Sequence, residues 1–165
     1  MYDAAPASAL WEFALAAYAR PGVAPLCLDL QDCHGANVML MLHLCHCAST
    51  GCVPEDVRTE LARMEPLEAH LVSPLRRARR ALSVAATALG SDALRAAARQ
   101  VQRAEMAAEA LQCLRVDVHS GSVVDTETAR TAAGQLLLGY LRLLGPEQQW
   151  QHTQSAALAT AVFPP

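Results

Sequence analysis

Between Leu26 and Cys52 the chain reads LCLDLQDCHGANVMLMLHLCHCASTGC, and from Val38 to Ala48 it carries no charged side chain and no polar face. A helix that is apolar on every side has no face to offer water, so other helices must enclose it. The run is also shorter than the ~20 apolar residues that a bilayer crossing takes. This stretch therefore predicts an all-α bundle of seven or eight helices packed around a central helix at about 37–50. The chain has 165 residues, 53% of them hydrophobic and 18% charged, which is enough apolar material for one core. The expectation is a single domain over 1–165, with 1–7 and 163–165 flexible.

The flanking sequence supplies helix boundaries. Ser8 is a cap for a first helix with apolar positions Leu10, Trp11, Ala14, Leu15 and Tyr18, ended by Pro21-Gly22. A second helix runs from about Val23 to His34, with Leu26, Cys27 and Leu30 inward. Gly35 closes it and Asn37 caps the central helix, so these two are antiparallel neighbours. After Gly51, a fourth helix is expected from Pro54 to Met64, with Val57, Leu61 and Met64 inward, Glu55, Asp56, Arg58 and Glu60 outward, and Pro66 as its breaker. A fifth segment covers Leu67 to Leu89, with a kink or a helix junction at Pro74. The sixth, from about Asp92 to Val116, has a thin apolar line through Leu94, Ala98, Val101, Ala104 or Ala108, Leu111 and Leu114. Residues 116–124 read as a loop, or less favourably as a short hairpin. Asp125 caps a seventh helix to Leu144, with Leu136, Leu137, Tyr140, Leu141 and Leu144 inward. A last helix covers Glu147 to Val162. Trp11, Phe13, Tyr140 and Trp150 are expected to share one end of the core.

Several motifs resemble those of a known family. They are Leu10-Trp11-x-Phe13-Ala14, Tyr18-Ala19-Arg20-Pro21-Gly22-Val23, Cys27-Leu28-x-Leu30-Gln31-Asp32-x-His34-Gly35 and Val72-x-Pro74-Leu75-Arg76-x-x-Arg79-Arg80. They resemble a family of small proteobacterial helical proteins that is a domain of unknown function. The likeness is close over residues 10–45 and looser over 66–116. It implies a small helical cytoplasmic bacterial protein and no particular activity. The family favours Asp and then Asn where this chain has Asn37 and Met39, and aromatic residues where it has His43 and His46.

Three groups of residues could carry chemistry. The first is the Cys/His cluster at 27–52. His43, His46 and Cys47 share one helix face, and the antiparallel neighbour could bring Cys27 opposite them. Thiolate and imidazole suit zinc or copper(I), yet the spacing matches no finger or cluster pattern, and a cysteine is as readily a small buried apolar residue. The second is a basic stripe, Arg76, Arg79, Arg80, Arg95, Arg99 and Arg103, facing a partner or simply solvent. No aromatic residue lies nearby to stack a base, so an acidic protein is favoured over nucleic acid. The third is the turn cluster Gln31, Asp32, His34 and Asn37, which either stitches a turn or lines a small-molecule or partner site.

Other features narrow the function. Every basic residue is arginine, so lysine chemistry is excluded. There is no His-Glu-x-x-His, glycine-rich phosphate loop or Gly-x-Ser-x-Gly. Net charge is -3 with pI about 6.0, and no secretion signal is evident, so the expectation is a cytoplasmic protein with reduced thiols. The leading expectation is a non-enzymatic interaction or adaptor module for another protein, without cofactor, membrane or nucleic acid. The alternatives are a metal- or thiol-linked protein using Cys27, His43, His46 and Cys47, and an enzyme with a site near Asp32 and His34.

Overall fold

The computed structural model describes residues 8–116 and 122–165. Among them are eight α-helices and no strand: α1 Ala9–Tyr18, α2 Val23–His34, α3 Val38–Thr50, α4 Val57–Leu67, α5 Ser73–Leu89, α6 Asp92–Gln112, α7 Thr126–Leu141 and α8 Gln149–Val162. Residues 1–7, expected to be flexible, and residues 117–121 of the loop-or-hairpin segment lie outside the described residues. The described residues form two compact units, 8–61 with 122–165, and 62–116.

In the first unit α3 lies against α1, α2 and α7, while α8 packs on α2 and α7. Ten consecutive residues of α3, Met39 to Ala48, are buried, and Leu40, Met41, Leu42 and Leu44 are at most 2% exposed. The sequence places no polar stripe there because the helix has no wet side. Burying each such side chain stabilises by about 1.5–3 kcal/mol. The ends of α3 are set locally. Asn37 Oδ1 accepts from the Leu40 N–H at 3.0 Å, and Gly51 closes the helix at φ +68. A Cβ on Gly51 would meet Val124 Cγ1 at 3.1 Å, so both backbone conformation and space favour glycine there. Ser8 and Asp125 likewise accept from Trp11 N–H and Thr128 N–H, at 3.1 and 3.0 Å.

Some expectations are corrected. Pro54 does not open α4; the helix begins at Val57, with Asp56 Oδ1 accepting from the Arg58 N–H at 2.9 Å. Glu60, expected outward, is buried. Leu26 and Leu144 are only half-buried, and Leu15 is exposed. Among the aromatic residues, Phe13 packs with Phe163 and Trp150 stacks on His34. Phe163 is buried, and its carbonyl accepts from Arg130 Nη1 at 3.0 Å, so the chain is held at that residue.

The second unit is a hairpin of α5 and α6, with the π-helical turn Glu68–Val72 against both. Pro66 does not break α4, which runs on to Leu67 and into the π turn. Pro74 sits at the start of α5, directly after that turn. Proline has no N–H for the carbonyl four residues back and its ring crowds that carbonyl; a widened turn relieves the crowding. The seam of α6 also differs from its apolar line. Ala98, Glu105, Ala108 and Gln112 are buried, whereas Leu111 and Leu114 are exposed. Polar residues win these inward positions because Arg76 and Arg79 from α5 meet Glu105 there and Glu68 of the π turn accepts from Gln112.

Candidate functional site

At the α2–α3 turn, backbone bonds do most of the work. The N–H groups of Gly35 and Ala36 donate to the carbonyls of Gln31 and Leu30, at 3.1 and 3.2 Å. Asn37 is buried, and its N–H donates to Tyr140 Oη at 2.7 Å. Its Nδ2 is buried without a partner among the described residues. The His34 ring stacks on Trp150, with centroids 3.7 Å apart and planes 10° from parallel. Asp32 is exposed and Gln31 half-buried. Asn37 is thus buried while Asp32 lies at the surface.

The Cys/His residues have different neighbours. His43 Nε2 lies 3.0 Å from Glu60 Oε2, and Cys47 Sγ lies 3.6 Å from the same nitrogen. His46 turns edge-on to Phe13, with centroids 5.1 Å apart, and burial, then the nearby His43, holds its pKa below the usual histidine value. Cys27 is buried on α2, where burial pushes its thiol up to about 12. The Cys47 thiol is also pushed up to about 12, by burial first and then by the Glu60 carboxylate and Cys52. The Cys45 thiol is pushed up too, by burial and by Cys27 and Cys47.

These facts limit the chemistry. A thiol–imidazole–carboxylate relay needs nucleophile and carboxylate on opposite ring nitrogens. Here Glu60 Oε2 lies at Nε2, while Cys47 Sγ sits beside the ring, 3.6 Å from Nε2 and 3.8 Å from Nδ1. Protonated thiols are poor nucleophiles and must lose a proton to bind a metal. Among the described residues no group of three or more His, Cys, Asp or Glu side chains could hold a metal ion. Glu60 is the member that sequence reading missed. Its spacing of three from Val57 and four from Met64 puts it on their helix face, which was the available signal.

The basic residues give the strongest geometry. Arg76 is turned inward and meets three glutamates: Nη1 donates to Glu68, Nε to Glu105 and Nη2 to Glu109, each at 3.1 Å. Arg79 Nε donates to Glu105 Oε2 at 2.5 Å. Gln112 Nε2 donates to Glu68 Oε2 at 3.1 Å, while its buried Oε1 has no partner among the described residues. Burial raises the pKa of Glu109, against the pull of Arg76. Arg76 thus ties the hairpin together from within.

The other arginines face outward. Arg80, Arg95, Arg99 and Arg103 are exposed. Arg95 donates to Asp92 Oδ1 through Nη2 and Nε, at 2.8 and 3.0 Å, and to the Gly90 carbonyl. Arg99 and Arg103 make no hydrogen bond or ion pair among the described residues. Between α5 and α6 lies a cleft of about 250 Å³. Arg79, Ser83 and Thr87 line it from α5 and Arg95, Arg99 and Gln102 from α6, over Ala86 and Ala98. The two alanines are small enough to let the helices approach at that point.

Charge is divided unevenly along the chain. Residues 62–116 hold nine arginines against five acidic residues, +4, while the rest of the chain holds four against eleven, -7. The net -3 averages over two segments of opposite sign. Counting charge by segment would have found the basic unit directly.

Residues 9–115 match a family whose description is Protein of unknown function (DUF2390). No curated protein and no solved structure matches the chain.

Proposed function

We propose that this chain, which belongs to the DUF2390 family of proteins of unknown function, is a bacterial cytoplasmic interaction module that grips an acidic segment of another protein in its arginine cleft. The observation that carries the reading is Arg99: an exposed guanidinium on the cleft, with no ion pair of its own among the described residues. The cleft is smaller than the ~300–1,000 Å³ that drug-sized ligands occupy, so it suits one or two side chains of a partner. Residues 62–116 contain no Phe, Trp or Tyr, so nothing there stacks a nucleic-acid base. All six cysteines are free thiols, in keeping with a reducing compartment. No helix among the described residues is long and apolar enough to cross a membrane.

A fluorescein-labelled, glutamate-rich dodecapeptide provides the test, read by anisotropy in low salt. The peptide binds the wild-type protein, binding weakens as salt rises from about 50 to 200 mM, and R99E/R103E weakens it at least about tenfold by reversing two charges. No binding at low salt, or equal binding by the variant, overturns the reading.

A further inference from the structure

We infer that the α5–α6 cleft is built for a phosphorylated side chain of a peptide, in preference to a glutamate or aspartate. This rests on the interaction reading above and names what the cleft selects. The two walls offer different chemistry. On α6, all of Arg99 and the Nη1 group of Arg95 are uncommitted among the described residues. On α5, the Ser83 hydroxyl donates to the Arg79 carbonyl at 2.9 Å, and the Thr87 hydroxyl to the Ser83 carbonyl at 3.1 Å. With their hydrogens spent, these oxygens present lone pairs to the cleft. The α6 wall therefore donates to an anion, while on the α5 wall, beside Arg79, these two oxygens accept from N–H groups. A peptide carrying an anionic side chain has both; a free anion has only the first.

The count of donors separates phosphate from carboxylate. Arg95 and Arg99 are one turn apart, about 6 Å along the axis. A carboxylate has two oxygens and one negative charge to share between both guanidinium forks. A phosphate monoester has three terminal oxygens and about -1.5 to -2 charge, enough to bridge both. The Arg95–Asp92 pair does not block this, because Asp92 is 97% exposed and such surface pairs are weak. Arg79, held by Glu105, adds positive charge from the α5 side.

Three labelled peptides of one sequence, with Ser, Glu or phosphoserine at the centre, are titrated against the full chain and against R95Q/R99Q. The phosphoserine peptide binds at least about tenfold tighter than the Glu peptide, and the variant removes that preference. Inorganic phosphate at equal concentration competes poorly, since it lacks the N–H groups that Ser83 and Thr87 accept. Equal binding of the phosphoserine and Glu peptides overturns the phosphate inference while the acidic-partner reading stands. Competition by inorganic phosphate at the peptide's own affinity overturns the peptide part. If neither anionic peptide binds better than the Ser peptide, both readings fall. Circular dichroism checks that R95Q/R99Q is folded; both residues are exposed, so the helices are retained.

Discussion

At the scale of single residues, the buried polar groups of α3 decide more than their number suggests. His43 and Glu60 are each almost without solvent, and each is the other's partner at 3.0 Å. Breaking such a pair leaves a buried polar or charged group alone, whereas replacing both by apolar groups is often nearly neutral. His43→Phe is therefore expected to destabilise by about 1–3 kcal/mol in urea titrations, since it removes the 3.0 Å contact to the buried Glu60 carboxylate. Adding Glu60→Leu to it should restore much of the loss. If the double variant is less stable than His43→Phe, the two side chains are not coupled as described. His46 makes a second prediction. Its pKa is lowered by burial, so the unfolded chain takes up a proton near the ordinary 6.5 while the folded one does so only at lower pH. Stability therefore falls on acidification through that window. Comparing urea midpoints at pH 7.5 and 5.5 should show a smaller drop for His46→Phe than for wild type, and equal drops would refute the assignment.

Among the helices, capping was a local matter and facing was not. Ser8, Asn37, Ser91 and Asp125 all accept backbone N–H bonds at helix starts, and each can be recognised from its own few residues. The inward side of α6 was different, because an apolar count selected Leu111 and Leu114 where the structure buries Glu105 and Gln112. Periodicity cannot anticipate a charged seam, since a glutamate faces inward only when an arginine from another helix meets it. The consequence is testable at Arg76, whose side chain is 11% exposed among three glutamates. Arg76→Ala should cost about 3–5 kcal/mol by leaving those carboxylates facing one another. A cost below about 1 kcal/mol in chemical denaturation would show that the network is a surface feature.

For the whole molecule, the thiols report how completely the helices enclose the chemistry. Of six free cysteines only Cys33 is exposed, Cys52 is intermediate, and Cys27, Cys45, Cys47 and Cys113 are buried. With Cys27 and Cys47 pushed up to about 12, those thiols stay protonated at pH 8. Reaction with a disulfide reagent at pH 8 should modify Cys33 first and Cys52 more slowly. The four buried thiols should react only when denaturant is added. Rapid modification of Cys47 in the native protein would mean that the α3 surroundings open more readily than their burial implies. The same enclosure bears on the reach of a function reading from sequence: the Cys/His cluster had suggestive residue types, yet its orientation within the core divides it.

The order of residues alone determined that the chain is helical, where most helices begin, and that the Val38–Ala48 stretch lies inside, because propensity, caps and an uninterrupted apolar run act over a few neighbours. Tertiary structure alone decided that Glu60 turns in to His43, that Arg76 is consumed by glutamates, and that Arg99 is left facing a cleft. Those outcomes depend on which groups distant in sequence come within hydrogen-bonding distance, and no local pattern encodes that distance.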